Sequence, residues 1–269
     1  MPDGPRFDST AEHYARHRPG YDDAVIDHLR ERFSLDGGEG GGDSGSGSSV
    51  LDLGCGTGEL AVPLAPHVDE VVAVDPSPAM LDAVRARATE TGVENVRTVR
   101  GDDTDVGTLD AASGPFRLTT MGRSFHWTDG AATLERVREE TEPGGGVALV
   151  SDDEWLTKGT EDWQAAVYAV ADEYLDDLPE RTGPVAYDRT WADHLRAAGF
   201  DDVRVESVSE RRELDADAVV GYVLSLSFCS PAELGADLSA FESELRSRLA
   251  DVGAPFAYDR TVEVTSGIG

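Results

Sequence analysis

Ten residues, LDLGCGTGEL (51–60), hold glycines at Gly54, Gly56 and Gly58, with Asp52 two residues ahead of the first. Glycine lets a chain turn sharply and lets a ligand approach backbone N–H groups closely. The stretch begins in an apolar segment, VLDLG, that reads as a buried strand, and it runs into a helical pattern. Such a strand-to-helix junction is where open α/β sheets bind ligands. Asp75 closes a second apolar segment, EVVAVD, 21 residues after Gly54. A carboxylate there can accept two hydrogen bonds from a ribose diol. Two cofactor classes share this geometry. A dinucleotide site calls for G-x-G-x-x-G/A, so that the pyrophosphate can sit on the helix N-terminus. Here the spacing is G-x-G-x-G, and Glu59 stands where the third small residue should be. A carboxylate repels pyrophosphate but tolerates a sulfonium and an ammonium, so the spacing favours S-adenosylmethionine over NAD.

A second group of chemically capable residues is SFHWTD, Ser124 to Asp129, directly after the apolar stretch FRLTTMG. Phe125 reads as core. Trp127 can wall a substrate cavity or the cofactor, or staple the next helix. His126 has three readings: a general base with an ordinary pKa near 6.5, a hydrogen-bonding group that orients a substrate, or a satisfied structural histidine. The last two together outweigh the first. A third group, YARHRPGY, places Arg16, His17 and Arg18 in an otherwise acidic chain. The six histidines are scattered and match no metal-ligand spacing. No Ser–His–Asp set at nucleophile-elbow spacing is present. Cys55 reads as a loop filler and Cys229 as a packed apolar residue.

The elements around these groups follow from patterning. Strands are expected at Val50–Gly54, Glu70–Asp75, Val96–Gly101, Phe116–Met121 and Gly146–Ser151, with helices from Gly58 to His67 and from Asp129 to Glu140. Ser77 and Pro78 start another helix whose apolar stripe is Met80, Leu81, Val84 and Ala88. Pro143 and the triple glycine after it are expected to end the 129–140 helix. Beyond Asp152 the pattern changes: helices over 161–178 and 191–198, an alternating strand over 203–214, a helical stretch over 216–252 and a last strand over 257–265. Short apolar strands between helices imply a parallel sheet covered on both faces. The segment 36–49, DGGEGGGDSGSGSS, contains only Gly, Ser and acids and is expected to be a flexible linker reaching roughly 20 Å. It separates a helix over 21–33, too short to hold a core alone, which must therefore dock on the body.

The chain has 269 residues, 53 acids against 23 bases and a formal net charge of −30; Lys158 is its only lysine. Acids spread along the whole chain resemble the surfaces of proteins from halophilic organisms. A sequence-independent grip on nucleic acid needs a basic face, so a nucleic-acid partner is not expected. No apolar run is long enough to span a bilayer, and the N-terminus shows no apolar signal region, so neither a membrane partner nor secretion is expected. Two cysteines give no disulfide framework, which fits a reducing cytoplasm.

Residues 50–151 resemble a class I S-adenosylmethionine-dependent methyltransferase through five motifs in order: VLDLGCGTGE, VVAVDPSPAML, VRGDDTDV, FHWTD and EPGGGVALV. FDSTAEHYARHRPGY resembles the N-terminal helix of small-molecule methyltransferases, and the Phe-His-Trp after strand four resembles one subgroup of them. The resemblance implies an α/β, Rossmann-like, doubly wound and mostly parallel seven-stranded sheet with a helical cap. In its terms residues 1–35 form a cap segment, 36–49 the linker, 50–151 the cofactor-binding core, and 152–269 the rest of the same domain with helical inserts. It also implies roles. Gly54, Gly56 and Gly58 shape the loop under the methionine part of S-adenosylmethionine. Asp52 supports that loop and reaches the ammonium through water, or else only caps the loop. Asp75 holds the ribose hydroxyls, with Pro76 beside the adenine. Asp102 accepts from the adenine amino group, a role its neighbour Asp103 could also fill. The backbone at Met121 and Gly122 takes the ammonium. Tyr14 or Arg18 meets the methionine carboxylate, or the segment is a surface helix with local ion pairs. The expected activity is methyl transfer to a small-molecule acceptor, with His126 and Trp127 at the substrate pocket. The alternatives are a protein or RNA methyltransferase, a non-catalytic cofactor binder, or an NAD- or nucleotide-sugar-binding protein.

Overall fold

The computed structural model describes residues 13, 16–36, 48–108, 114–182 and 190–269. Strands β1 (Ser49–Leu53), β2 (Glu70–Asp75), β3 (Val96–Arg100), β4 (Phe116–Gly122), β5 (Thr141–Asp152), β6 (Asp201–Leu214) and β7 (Phe256–Ile268) form one sheet in the order β3-β2-β1-β4-β5-β7-β6. Four pairings, from β3 across to β5, are parallel. The expected mostly parallel sheet is borne out except at β7, which runs antiparallel to both β5 and β6 and makes the sheet mixed. The order turns back on itself between β1 and β4. That reversal leaves a crevice at the carboxyl ends of those two strands.

The apolar residues of β1 and β2 alternate between two cores, as a period of two requires. Val50, Val71 and Ala73 join α1 (Asp23–Phe33), α2 (Ala61–Leu64) and α3 (Pro78–Thr91) on one face. Leu51, Leu53, Val72 and Val74 join α4 (Gly130–Glu139) and α7 (Trp191–Ala197) on the other. α1 buries Val25, Ile26, Leu29 and Phe33, so the N-terminal helix docks on the sheet. A third core, built on Trp155, Trp163, Tyr222, Phe241 and Phe256, lies under the inserts after β5 and β6. These inserts are α5 (Trp155–Lys158), α6 (Asp162–Tyr174), α8 (Ala216–Leu224), α9 (Pro231–Leu234) and α10 (Leu238–Val252).

Local signals act as their chemistry dictates. The Ser77 hydroxyl accepts from the Met80 N–H at 3.3 Å with Pro78 in the first turn, and Met80, Leu81, Val84 and Ala88 are the buried stripe of α3. Other expectations need correction. The helix expected from Gly58 to His67 contracts to α2 and a 3₁₀ turn at Ala65–His67, because Pro63 and Pro66 lack the N–H a longer helix needs. The triple glycine does not follow a helix end as a loop; it lies inside β5, where Gly146 pairs with Leu118 on one side and Ile268 on the other. The helix expected to reach Leu178 ends at Tyr174, and α5 was not expected. The stretch 216–252 breaks at Ser225–Ser230. The Ser225 hydroxyl bonds back to the Tyr222 carbonyl at 2.5 Å, and Ser230 with Pro231 starts a new helix. Most of the expected linker, residues 37–47, lies outside the described residues.

Candidate active site

The glycine loop forms as its composition requires. Gly54, Gly56 and Gly58 have φ of 69°, 53° and 84°, the left-handed region that side chains disfavour. The Gly54 and Cys55 N–H groups both donate to the Val74 carbonyl, at 2.8 and 3.0 Å, which fixes the loop to the end of β2. Asp75 stands at that end, 8% exposed, and accepts from the Gly56 N–H at 3.0 Å and the Ser77 N–H at 2.9 Å. The carboxylate is therefore held in one orientation against the loop.

A small cavity of about 20 Å³ lies over the loop, lined by Tyr21, Asp52, Gly54, Gly56, Glu59 and Gly122 among others. Asp52 is buried and accepts from the Ala61 N–H at 3.1 Å and the Thr120 hydroxyl at 2.8 Å. It thus caps the start of α2 and ties β4 to β1 while lining the cavity. Desolvation raises its carboxyl to about 7, against the lowering effect of the Thr120 hydroxyl. Glu59, 5% exposed, is held by the Thr57 hydroxyl and by Arg87 at 3.2 Å. Gly122 is needed for close approach: a Cβ there would stand 2.9 Å from both the Leu60 Cδ1 and the Tyr21 hydroxyl oxygen.

The other expected site residues separate. Gly58 does not line the cavity; it packs the loop against Val62 and Val84. Met121 points its side chain into the sheet core, which leaves only its backbone for a ligand. The Pro76 carbonyl accepts from Arg100 Nε at 3.3 Å. Asp102 is partly open and accepts from the Thr104 N–H and hydroxyl at 2.8 and 2.6 Å. Those bonds lower its carboxyl, the Thr104 hydroxyl first. Asp103, 4% exposed, accepts from the Thr133 hydroxyl at 2.8 Å, so it anchors α4 and Asp102 is the freer of the two. Arg18 does not line the cavity; its guanidinium lies over the Tyr222 ring at 4.8 Å, against the inserts. Tyr14 lies outside the described residues.

Phe125 is buried, edge-on to Trp191 at 5.7 Å and His194 at 5.8 Å, the core role expected of it. His126 and Trp127 stand in contact at the surface beyond β4, ring centroids 4.9 Å apart, and do not line the cavity. Although His126 is open to solvent on one side, desolvation by surrounding protein and then the charges of Lys158 and Arg18 lower its pKa. Its imidazole is therefore neutral at pH 7 and has a nitrogen lone pair.

Sequence reasoning missed Tyr21, Leu60 and Arg123, which also line the cavity. Position offered a signal for two of them. Tyr21 ends the YARHRPGY run, and Arg123 sits between Gly122 and SFHWTD. Arg123 has φ of 55°, a strained backbone for a non-glycine residue. Among the described residues no group of His, Cys, Asp or Glu could hold a metal.

The donor set decides which cofactor class fits. Asp52, Glu59 and Asp75 surround the loop with carboxyl groups, an arrangement that suits a cationic ligand and opposes a pyrophosphate. Residues 50–145 match the methyltransferase domain family. That match and the carboxyl-lined loop together support S-adenosylmethionine as the cofactor. An uncharacterized methyltransferase of Mycobacterium tuberculosis is 29% identical over 231 residues, 85% of this chain and 80% of that protein. A ubiquinone biosynthesis O-methyltransferase of Cereibacter sphaeroides is 30% identical over 161 residues, 53% of this chain and 62% of that one. The S-adenosylmethionine-dependent methyltransferase of Thiobacillus denitrificans, solved with S-adenosyl-L-homocysteine, shares the fold with a TM-score of 0.55 at 19% identity, covering 99% of this chain and 98% of that one. So does the [4+2]-cyclase SpnF, with a TM-score of 0.54 at 15% identity, covering 98% and 94%. A cyclase on this scaffold shows that the fold alone does not dictate methyl transfer.

Proposed function

We propose that the chain transfers a methyl group from S-adenosylmethionine to a small-molecule acceptor at the carboxyl ends of β1 and β4. The observation that carries the reading is the carboxyl-lined glycine loop with Asp75 oriented at its edge. Bound S-adenosylmethionine supplies a methyl carbon already activated by its sulfonium. The protein's task is alignment of the acceptor at about 3–3.5 Å and exclusion of water. In this reading Asp75 accepts from the ribose hydroxyls and Asp102 from the adenine amino group. The Gly122 backbone meets the amino-acid end, and Tyr21 covers it. The acceptor enters beside His126 and Trp127. A neutral His126 can orient a hydroxyl or take its proton. The relative named for ubiquinone biosynthesis supports a small acceptor. The net charge of −30 speaks against RNA.

Calorimetry tests the reading. S-adenosylmethionine and S-adenosylhomocysteine should bind, and NAD(H) should not. Tight NAD binding without S-adenosylmethionine binding would overturn it. We also place the protein in the cytoplasm, a reading supported by Cys55 and Cys229, both buried free thiols whose pKa values burial raises.

A further inference from the structure

The cavity is roofed by Tyr21, and the chain around Tyr21 is held by a set of buried charges that the proposed reaction does not use. Asp152 ends β5, between β4 and β7 in the sheet. Its side chain, 6% exposed, accepts from Arg123 Nε and Nη2, the latter at 3.0 Å, and from Arg260 Nε at 2.9 Å. Each arginine then reaches the N-terminal segment. Arg123 Nη2 donates to the Pro19 carbonyl at 3.1 Å, and Arg260 Nη1 to the Gly20 carbonyl at 2.8 Å. Both guanidinium groups lie over the Tyr21 ring, at 4.9 and 5.9 Å. Farther out, Arg260 also meets Glu210 at 2.9 Å, and Arg212 meets Asp22 at 3.2 Å.

This arrangement is a poor way to gain stability alone, since apolar residues of similar volume often serve as well. Its distinctive product is direction. Planar guanidinium groups, locked by one carboxylate, fix two successive carbonyls and the aromatic ring that follows them. That ring is the one whose hydroxyl oxygen would stand 2.9 Å from a Cβ on Gly122. Arg123, at the cavity's edge with a strained backbone, carries its guanidinium into this set.

We propose that Asp152 is a positioning residue for the cofactor site: through Arg123 and Arg260 it latches Pro19–Asp22 shut and sets Tyr21 over the bound cofactor. The inference rests on the cofactor reading above. Cofactor entry requires the latch to open, and binding closes it.

The test measures two quantities in the full chain: affinity for S-adenosylhomocysteine, and the rate of trypsin cleavage after Arg16, which is exposed just ahead of the latch. Asp152→Asn should weaken affinity about tenfold and speed cleavage by a similar factor, as expected when a buried pair loses its charge. Tyr21→Ala should weaken affinity and leave cleavage unchanged. Combining the two should add little, because both act through one contact. Independent, multiplying losses would overturn the proposal, as would a folded Asp152→Asn protein with unchanged affinity. If Asp152→Asn does not fold, Arg260→Gln, which releases the Gly20 carbonyl, carries the same comparison. A wild-type protein that binds no S-adenosylhomocysteine would overturn the cofactor reading and this inference with it. Wild-type binding that Asp152→Asn leaves untouched would overturn the latch alone.

Discussion

Two buried aspartates close neighbouring parts of the sheet, and their surroundings push them in opposite directions. Asp52, in the loop half, sits among Glu59, Asp75 and hydrogen-bond donors that carry no charge, so desolvation prevails and its carboxyl rises to about 7. Asp152, in the latch half, feels the same desolvation, but Arg123 and then Arg260 outweigh it and hold its carboxyl below the usual range. The donors that Asp52 meets are uncharged, while Arg87 holds Glu59 and Arg123 stands at the same cavity's edge. The latch half is internally compensated and mechanically fixed. The comparison teaches that burial alone assigns no role to a carboxylate; the partner's charge decides whether it can receive a ligand or hold a frame.

The strongest way to break the comparison is to remove the compensated carboxylate. Asp152→Ala leaves Arg123 and Arg260 buried without their shared anion, and it should destabilise the fold by about 3–5 kcal/mol. Denaturant unfolding measures this. A loss under about 1 kcal/mol would mean that water enters and the set is not a buried frame.

The uncompensated carboxylate should reveal itself by pH. A folded pKa raised to about 7 means that, between the ordinary carboxylate range and about 7, the folded state holds a proton the unfolded chain has released. Its contribution to stability therefore falls as pH rises through that window, by up to about 4 kcal/mol. Asp52→Asn should lose this slope, so the variant minus wild-type difference grows from pH 4 to pH 7. Asp152 has the reverse sign: its lowered folded pKa gives stability that is present above about pH 4 and lost below it. A pH-independent difference for Asp52→Asn would place its charge in contact with solvent.

Asp75 sharpens the comparison on the binding side. Asp75→Ala should weaken S-adenosylmethionine binding by about 1–3 kcal/mol, the scale for deleting a charged hydrogen-bond partner. Calorimetry on the folded variant checks it, and unchanged affinity would remove Asp75 from the site.

The two halves also differ in how far they could be read in advance. The loop half is written in adjacent residues: Ser77, Pro78 and the stripe from Met80 to Ala88 act within one helix, and the three glycines act within one turn. The latch joins Arg123, Asp152 and Arg260 to carbonyls as far as 240 positions away, and no local pattern announces such a meeting. The same holds for β5 and β7. Pro143 and the triple glycine look like a break in isolation, yet pairing with β4 on one side and β7 on the other keeps the chain extended. Between Ser225 and Ser230 the error ran the other way. The stretch 216–252 reads as one helical run, while serine hydroxyls compete for its backbone. Asp102 over Asp103 was readable only as a pair. Their separation into an open and a buried carboxylate depends on Thr133, thirty residues on.

Salt should separate the surface from both buried regions, and here the smallest effect is the informative one. With 53 acids and one lysine, the folded surface repels itself when unscreened. Raising ionic strength from about 0.1 M to 1 M shortens the screening length from about 10 Å to 3 Å, which removes most repulsion between exposed carboxylates. Excluded salts also strengthen apolar burial. Melting temperature should therefore climb with KCl into the molar range. Asp52, Asp75 and Asp152 lie inside, where mobile ions do not reach, so cofactor affinity should change by less than about threefold over the same range. Thermal unfolding and calorimetry across one KCl series give both numbers. A flat melting temperature would show the surface acids to be locally compensated and would end the halophilic reading. An affinity that falls steeply with salt would instead show that the charges meeting the cofactor are exposed, and the distinction between an uncompensated carboxylate and a compensated latch would lose its physical basis.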